Sequence, residues 1–332
     1  MTRPRTLGGV FGLEHPCASA RSLFRGRRVQ YFLSVRCALK ALVEAHRPGT
    51  VWLPSYVCGS ILTPFLESNV RFYSVDERLS VARNAWIEEI RPGDLVLVIH
   101  YFGFPNLTFP AREVAGKRAL LVEDASQALF LEQQFPESTC ILYSPRKFLG
   151  VPDAGVMVSD RETGTEPLEL QPPPLDWWSS AVEMSLSRRE YDLTGRPNDW
   201  FAKFQRVESE YPVGLFRASD LSRMLLHAVD YDAIRNRRRE NYQRLRELVG
   251  DFAVFRDLGP VVVPLGFPVR VESTLRDQVL AQLHVARIYA PVHWRIDHIP
   301  SRSVMTLLCD QRCTLDDIEA QARAFLSALA LP

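Results

Sequence analysis

From about residue 36 to residue 159, short apolar, β-rich runs alternate with segments whose apolar residues recur at helical spacing. That alternation predicts a mostly parallel sheet with crossover helices. The runs place strands at Val51–Pro54, Val70–Val75, Leu95–Tyr101, Ala119–Asp124, Cys140–Ser144 and Gly155–Ser159, with helices over Arg36–His46 and Val57–Glu67. The Pro- and Glu-rich stretch Thr163–Leu175, with Pro172, Pro173 and Pro174 in succession, reads as a surface connection. A helical region follows and ends in the charged segment Tyr231–Val249, where Arg235, Arg237, Arg238 and Arg239 read as one solvated helix. The remainder predicts a strand at Val261–Gly266, a helix at Ser273–Leu283, strands at Val285–Tyr289 and Val304–Cys309, and a helix at Thr314–Leu329. The expectation is an α/β domain over residues 1–230, its first 28 residues an N-terminal arm, and a small C-terminal α+β domain over 231–332.

Composition narrows the function classes. A chain of 332 residues with 46% hydrophobic and 24% charged residues buries a large core. With 40 basic against 39 acidic side chains it carries no electrostatic footprint for nucleic acid or an anionic membrane. Arg21, Arg25, Arg27 and Arg28 form a local basic cluster that reads as a solvated or interface face. No stretch approaches the roughly 20 apolar residues that span a bilayer, and the N-terminus has no secretory apolar core, so a cytoplasmic location is expected. Cysteines 17, 37, 58, 140, 309 and 313 form neither a disulfide framework nor a paired CxxC zinc site, and no metal is expected.

The densest polar information sits at the ends of three successive predicted strands, where open α/β sheets place ligands. These ends are His100-Tyr101-Phe102-Gly103, Glu123-Asp124-Ala125-Ser126-Gln127 and Ser144-Pro145-Arg146-Lys147. A carboxylate at one strand end and a lysine just past the next suit pyridoxal phosphate, which needs an amine for covalent attachment and an acid beside its ring nitrogen.

At these residues the chain resembles the DegT/DnrJ/EryC1/StrS family of fold-type-I aminotransferases, which act on keto-sugars attached to nucleotides. Val122-Glu123-Asp124-Ala125-Ser126-Gln127-Ala128 is similar to the family's "(I/V)EDAAQA" segment. Ser144-Pro145-Arg146-Lys147 and Gly150-Val151-Pro152-Asp153-Ala154-Gly155-Val156 resemble its serine, lysine and "GEGG" run. Leu53-Pro54-Ser55-Tyr56, His100-Tyr101-Phe102-Gly103, Leu215-Phe216-Arg217-Ala218-Ser219-Asp220-Leu221 and Leu315-Asp316-Asp317-Ile318 match further motifs in family order, so the likeness covers about residues 30 to 328. The resemblance implies the fold-type-I architecture, pyridoxal 5'-phosphate as cofactor, and a homodimer with shared active sites. It implies Lys147 as the Schiff-base lysine, Asp124 at the pyridinium nitrogen, Gln127 near the cofactor hydroxyl and Ser144 on the phosphate. The implied substrates are an amino donor such as glutamate and a keto-sugar.

The departures lie where phosphate, ring face and partner subunit would meet. Ser34-Val35-Arg36 stands where the family has Ser-Gly-Thr; Val35 removes a glycine that admits close backbone approach, while Arg36 offers a direct ion pair to phosphate. Cys58 falls where an aromatic residue often covers the cofactor ring, leaving stacking to Tyr56 or His100, with Tyr101 beside them. Leu215 replaces an asparagine contributed from a neighbouring subunit, and only Arg217 is retained there. His293, in Tyr289-Ala290-Pro291-Val292-His293-Trp294, aligns with a segment near the substrate.

Three rivals remain. Ser144-x-x-Lys147 fits the S-x-x-K nucleophile motif of serine acyl hydrolases, but S-D-N and K-T-G are absent. The same cofactor chemistry also serves dehydratases, lyases and enzymes of non-sugar substrates. A non-catalytic relative has no chemical need to retain both Lys147 and Asp124.

Overall fold

The computed structural model describes residues 6–17, 23–24, 27–81, 85–294 and 304–330; Arg21 and Arg25 of the basic cluster lie outside them. The chain divides into two compact units. One holds Val10–Tyr101 and Pro105–Asp230, the other Met1–Gly9, Phe102–Phe104 and Tyr231–Pro332.

In chain order the elements are β1 (Leu7–Gly8), β2 (Arg28–Phe32), α1 (Val35–His46), β3 (Val51–Pro54), β4 (Val70–Tyr73), α2 (Trp86–Glu89), β5 (Leu95–Ile99), α3 (Ala111–Gly116), β6 (Leu120–Asp124), β7 (Cys140–Tyr143) and β8 (Gly155–Ser159). There follow α4 (Leu175–Thr194), α5 (Trp200–Ser209), α6 (Asp220–Leu226), α7 (Tyr231–Val249), β9 (Phe267–Val269), α8 (Ser273–Val285), β10 (Ile288–Tyr289), β11 (Val292–His293), β12 (Val304–Leu307) and α9 (Leu315–Leu329).

The larger unit is built on a seven-stranded sheet of order β2-β8-β7-β6-β5-β3-β4. Strands β3 to β7 run parallel, while β8 is antiparallel to both β7 and β2. All of β5, β7 and β8 is buried, as strands covered on both faces must be. This strand polarity brings the C-terminal ends of β5, β6 and β7 to one edge of the sheet. The N-terminal end of β8 and the C-terminal end of β2, which leads into α1, lie at that same edge. Helix α1 starts there on Ser34, whose Oγ accepts the Cys37 amide at 3.2 Å and caps the helix. Gly155, the first residue of β8, makes room for this start.

Four elements differ from expectation. Strand β2 pairs on one side only and lacks a long apolar run, so apolar runs did not reveal it. The helix expected over Val57–Glu67 is a short 3-10 turn, Gly59–Phe65; Pro64 lies inside it and withholds a helical donor. The strand expected at Val261–Gly266 is displaced to β9, because Pro260 and Pro264 punctuate the predicted run. The strand expected from Val285 shortens to β10, since α8 continues through Val285.

In the second unit, β11, β12 and β9 form an antiparallel sheet, and β1 pairs in parallel with β10. Helix α9 opens with a reciprocal capping box between Thr314 and Asp317.

Candidate active site

Asp124 closes β6, four per cent exposed, with Oδ1 accepting the Ser126 amide at 2.7 Å. Its other oxygen accepts no hydrogen bond from the described residues. The neighbouring Glu123 points to the opposite face, as alternation along a strand requires. It is fully saturated there: His100, the Gln134 and Phe135 amides and the Ser138 hydroxyl all donate to it. Two adjacent carboxylates therefore differ in kind, one closed by hydrogen bonds and the other open on one oxygen.

Just past β7, the turn Pro145–Lys147 carries Ser144 before it. Ser144 Oγ makes no capping bond to that turn, although its carbonyl accepts the Lys147 amide at 3.1 Å. The Lys147 side chain is exposed and has no hydrogen bond or ion pair among the described residues. The chain has only four lysines, Lys40, Lys117, Lys147 and Lys203. The other three are paired with carboxylates: Lys40 with Glu44, Lys117 with Glu88, Lys203 with Glu183 and Asp199. A composition that uses arginine almost everywhere thus keeps one unpaired lysine, just past the strand that pairs with the one Asp124 closes. Lysine scarcity is a sequence signal that points to the same residue.

Register joins these groups. Asp124 pairs with Leu142 across β6 and β7, and the Ala125 amide bonds the Leu142 carbonyl, two residues before Ser144. On the other side the His100 amide bonds the Asp124 carbonyl. Tyr101, buried at the end of β5, donates to the Tyr56 carbonyl at 2.6 Å and meets the Tyr56 ring edge-on at 5.6 Å. Burial pushes its phenol well up, reinforced by Tyr73, Tyr56 and Asp124. Gln127 is buried in the turn after β6. Cys58 opens the Gly59–Phe65 turn, half-buried, with Sγ 3.1 Å from Ser60 Oγ.

The start of α1 reaches the same edge. Ser34 and Val35 are buried over Gly155. The Arg36 guanidinium lies 4.2 Å from the centroid of the Tyr211 ring, and that of Arg146 lies 4.8 Å from it. Arg146 also bonds Glu208 at 2.8 Å. Burial alone would push the Glu208 carboxyl up, but Arg146, Arg36 and Lys147 outweigh it and hold the group below its ordinary value. Arg146, Tyr211 and Glu208 were not singled out as site residues from sequence. Glu208 stands 62 residues from Arg146, in no recognisable motif.

Three expected site residues are placed elsewhere or are fully occupied. His100 has no accessible surface: Nε2 bonds Glu123 at 2.9 Å and Nδ1 accepts the Asn106 amide at 3.0 Å, so its ring braces the strand end. Arg217 pairs its backbone with Phe32 beside β2 and sets its guanidinium 3.4 Å from Asp220. His293 belongs to the second unit, where Nδ1 lies 2.8 Å from Thr306 Oγ1 and the ring stands edge-on to Phe102.

The donor set fits pyridoxal phosphate. An open carboxylate oxygen, an uncommitted hydroxyl, an uncommitted amine and a guanidinium without a carboxylate are the groups that ring nitrogen, phosphate and aldehyde require. Among the described residues no cluster of metal-ligating side chains occurs and no helix is long and apolar enough to cross a membrane.

No protein-family model matches the sequence, and no curated protein does. Solved structures do match in fold. An aminotransferase of Helicobacter pylori involved in the biosynthesis of pseudoaminic acid is 13% identical, with a TM-score of 0.66 over 96% of this chain and 99% of that one. A DegT DnrJ EryC1 StrS aminotransferase from Brucella abortus is 12% identical, with a TM-score of 0.63 over 92% and 86%. The GDP-4-keto-6-deoxy-D-mannose-3-dehydratase of E. coli, solved with bound hydrated PLP, is 15% identical, with a TM-score of 0.60 over 91% and 88%. The chain thus has the architecture of the fold-type-I aminotransferases, a mostly parallel seven-stranded sheet with flanking helices and a small antiparallel sheet, across nearly its whole length.

Proposed function

We propose that this chain is a pyridoxal-phosphate enzyme of the DegT/DnrJ/EryC1/StrS type that moves an amino group from an amino acid such as glutamate to a nucleotide-linked keto-sugar. The observation that carries the reading is Lys147, the one lysine without a partner among the described residues, just past the strand that pairs with the one Asp124 closes. Bound there, the cofactor would supply an electron sink for charge developing at the substrate carbon next to nitrogen.

The protein's own groups do the rest. Lys147 Nζ would hold the cofactor's aldehyde carbon and, once freed, would serve as the base that takes and returns the substrate's α-proton. Asp124 holds a proton on the ring nitrogen through its open oxygen. Ser144 and Arg36 take the phosphate, with Ser34 and Val35 shaping the loop below. Tyr56, Tyr101 and Cys58 would border the ring face, and Gln127 would approach the ring hydroxyl. His100 acts through Glu123 and Tyr101's strand end and not by contact. The active form is a homodimer in which Arg217 reaches the neighbouring site, with domains over residues 1–230 and 231–332.

Addition of glutamate to cofactor-loaded protein tests the reaction type. Stoichiometric 2-oxoglutarate in a single turnover, with loss of the lysine-bound absorbance, is the expected result. No 2-oxoglutarate and an unchanged absorbance would contradict transamination. Turnover of a keto-deoxysugar without 2-oxoglutarate would favour dehydration, the activity named for the E. coli neighbour.

A further inference from the structure

We propose that Tyr211 is a positioning residue that seats Arg36 as a clamp for a phosphoryl dianion. The inference deepens the reading of this edge as a cofactor site and rests on it for the identity of the ligand.

One ring serves two arginines and leaves them unlike each other. Arg146 lies against Tyr211 and spends its charge on Glu208 at 2.8 Å. Arg36 lies against the same ring, half-buried, and makes no hydrogen bond or ion pair with any described residue. Stacking engages the flat face of a guanidinium and leaves its in-plane N–H donors available. Arg36 therefore rests over the ring with its donors uncommitted, the state in which an arginine can bind phosphate through two parallel bonds.

Charge agrees. Arg36, Arg146 and Lys147 all act on the Glu208 carboxylate, and Arg146 also acts on Asp153, so three cations against two carboxylates leave the neighbourhood net positive. A phosphoryl monoester carries about −1.5 to −2 at neutral pH.

Tyr211 is itself fixed in relation to α1. Packing holds the ring, with Trp177 against it at 4.5 Å between centroids; the hydroxyl's bond to the Leu33 carbonyl at 3.1 Å marks how near the ring lies to the capping Ser34 but is not what seats Arg36. The ring thus registers the arginine to the start of the helix that carries it. Val35 denies the loop the close backbone approach that glycine would permit, and a long side chain grips the anion from further out.

Two sources present this chemistry: the phosphate of the cofactor and the diphosphate of a nucleotide-linked sugar. Calorimetric titration of the full-length protein, dialysed free of phosphate, would use inorganic phosphate, pyridoxal 5'-phosphate, pyridoxal and UDP. Arg36→Met and Tyr211→Leu are expected to weaken inorganic phosphate about 10- to 100-fold, the loss of a charge-assisted bidentate contact. Tyr211→Phe, which keeps the ring, should stay within about threefold of the parent, and pyridoxal should bind all four proteins alike. Arg36-dependent losses for inorganic phosphate matched by pyridoxal 5'-phosphate identify the cofactor's phosphate; losses matched by UDP and not by pyridoxal 5'-phosphate identify the substrate's, and either supports the clamp. Unchanged phosphate binding in Arg36→Met, or equal losses in the Phe and Leu variants, would overturn it. If phosphate binds in an Arg36-dependent way but pyridoxal 5'-phosphate leaves no reducible adduct on Lys147, the clamp stands and the cofactor reading falls; an adduct with variant-insensitive phosphate binding gives the reverse.

Discussion

Gly155 lies directly beneath the start of α1: a Cβ on it would stand 2.3 Å from the Val35 amide nitrogen and 2.5 Å from the Ser34 carbonyl oxygen. The first residue of β8 therefore sets the height at which Ser34, Val35 and Arg36 enter the candidate site.

Gly155→Ala must lift that helix start or bend β8. Overpacking of this kind costs about 1–3 kcal/mol, read as a lower urea midpoint, and the displaced Arg36 should weaken phosphate binding in the same protein. Wild-type behaviour in both measurements would show that β8 does not register the helix.

Glu123 and Asp124 should separate cleanly under mutation. Glu123→Leu strands the four donors that now converge on its carboxylate. Buried groups left unpaired cost about 1–3 kcal/mol each, so a severe drop in stability is expected whether or not cofactor is present. Asp124→Asn keeps an acceptor for the Ser126 amide. It should unfold like the parent yet lose most turnover, because an amide holds no proton on a ring nitrogen. Equal destabilisation of the two variants in urea would refute the division between a structural and a functional carboxylate.

Asp153 yields a pH signature. It is buried, and Oδ1 accepts the Ser219 amide at 2.9 Å while Oδ2 has no partner among the described residues. Burial raises its pKa above the ordinary value, against the lowering effects of Ser219, Ser222 and Arg146. A group whose folded pKa is raised contributes stability that is full below the unfolded pKa and is lost as pH rises through the folded one. Asp153→Asn cannot ionise and escapes that loss. The variant should therefore gain in melting temperature relative to the parent as pH rises from the acid range to neutrality; a constant difference across that range would contradict the assignment.

Much of this organisation is legible in the sequence, for physical reasons that also mark where it fades. The inner strands β3, β5, β6, β7 and β8 show as apolar runs because both faces are covered. Strand β2 has neighbours on one side only and blends into the polar background. Asp124, Ser144 and Lys147 are readable because each sits at the end of such a run. Tyr211 and Glu208 are not, since their contacts with Arg36 and Arg146 depend on chain returning from α5, which no local pattern announces. His100 shows the opposite failure: a histidine at a strand end reads as a ligand to the ring, whereas its two nitrogens are both used inside the protein.

Borohydride reduction of the protein loaded with pyridoxal 5'-phosphate, followed by peptide mass spectrometry, tests the central claim most directly. Only four lysines are available to carry the label. The account predicts a reduced pyridoxyl group on Lys147 and none in Lys147→Ala; label spread over Lys40, Lys117 and Lys203, or no label at all, would contradict it.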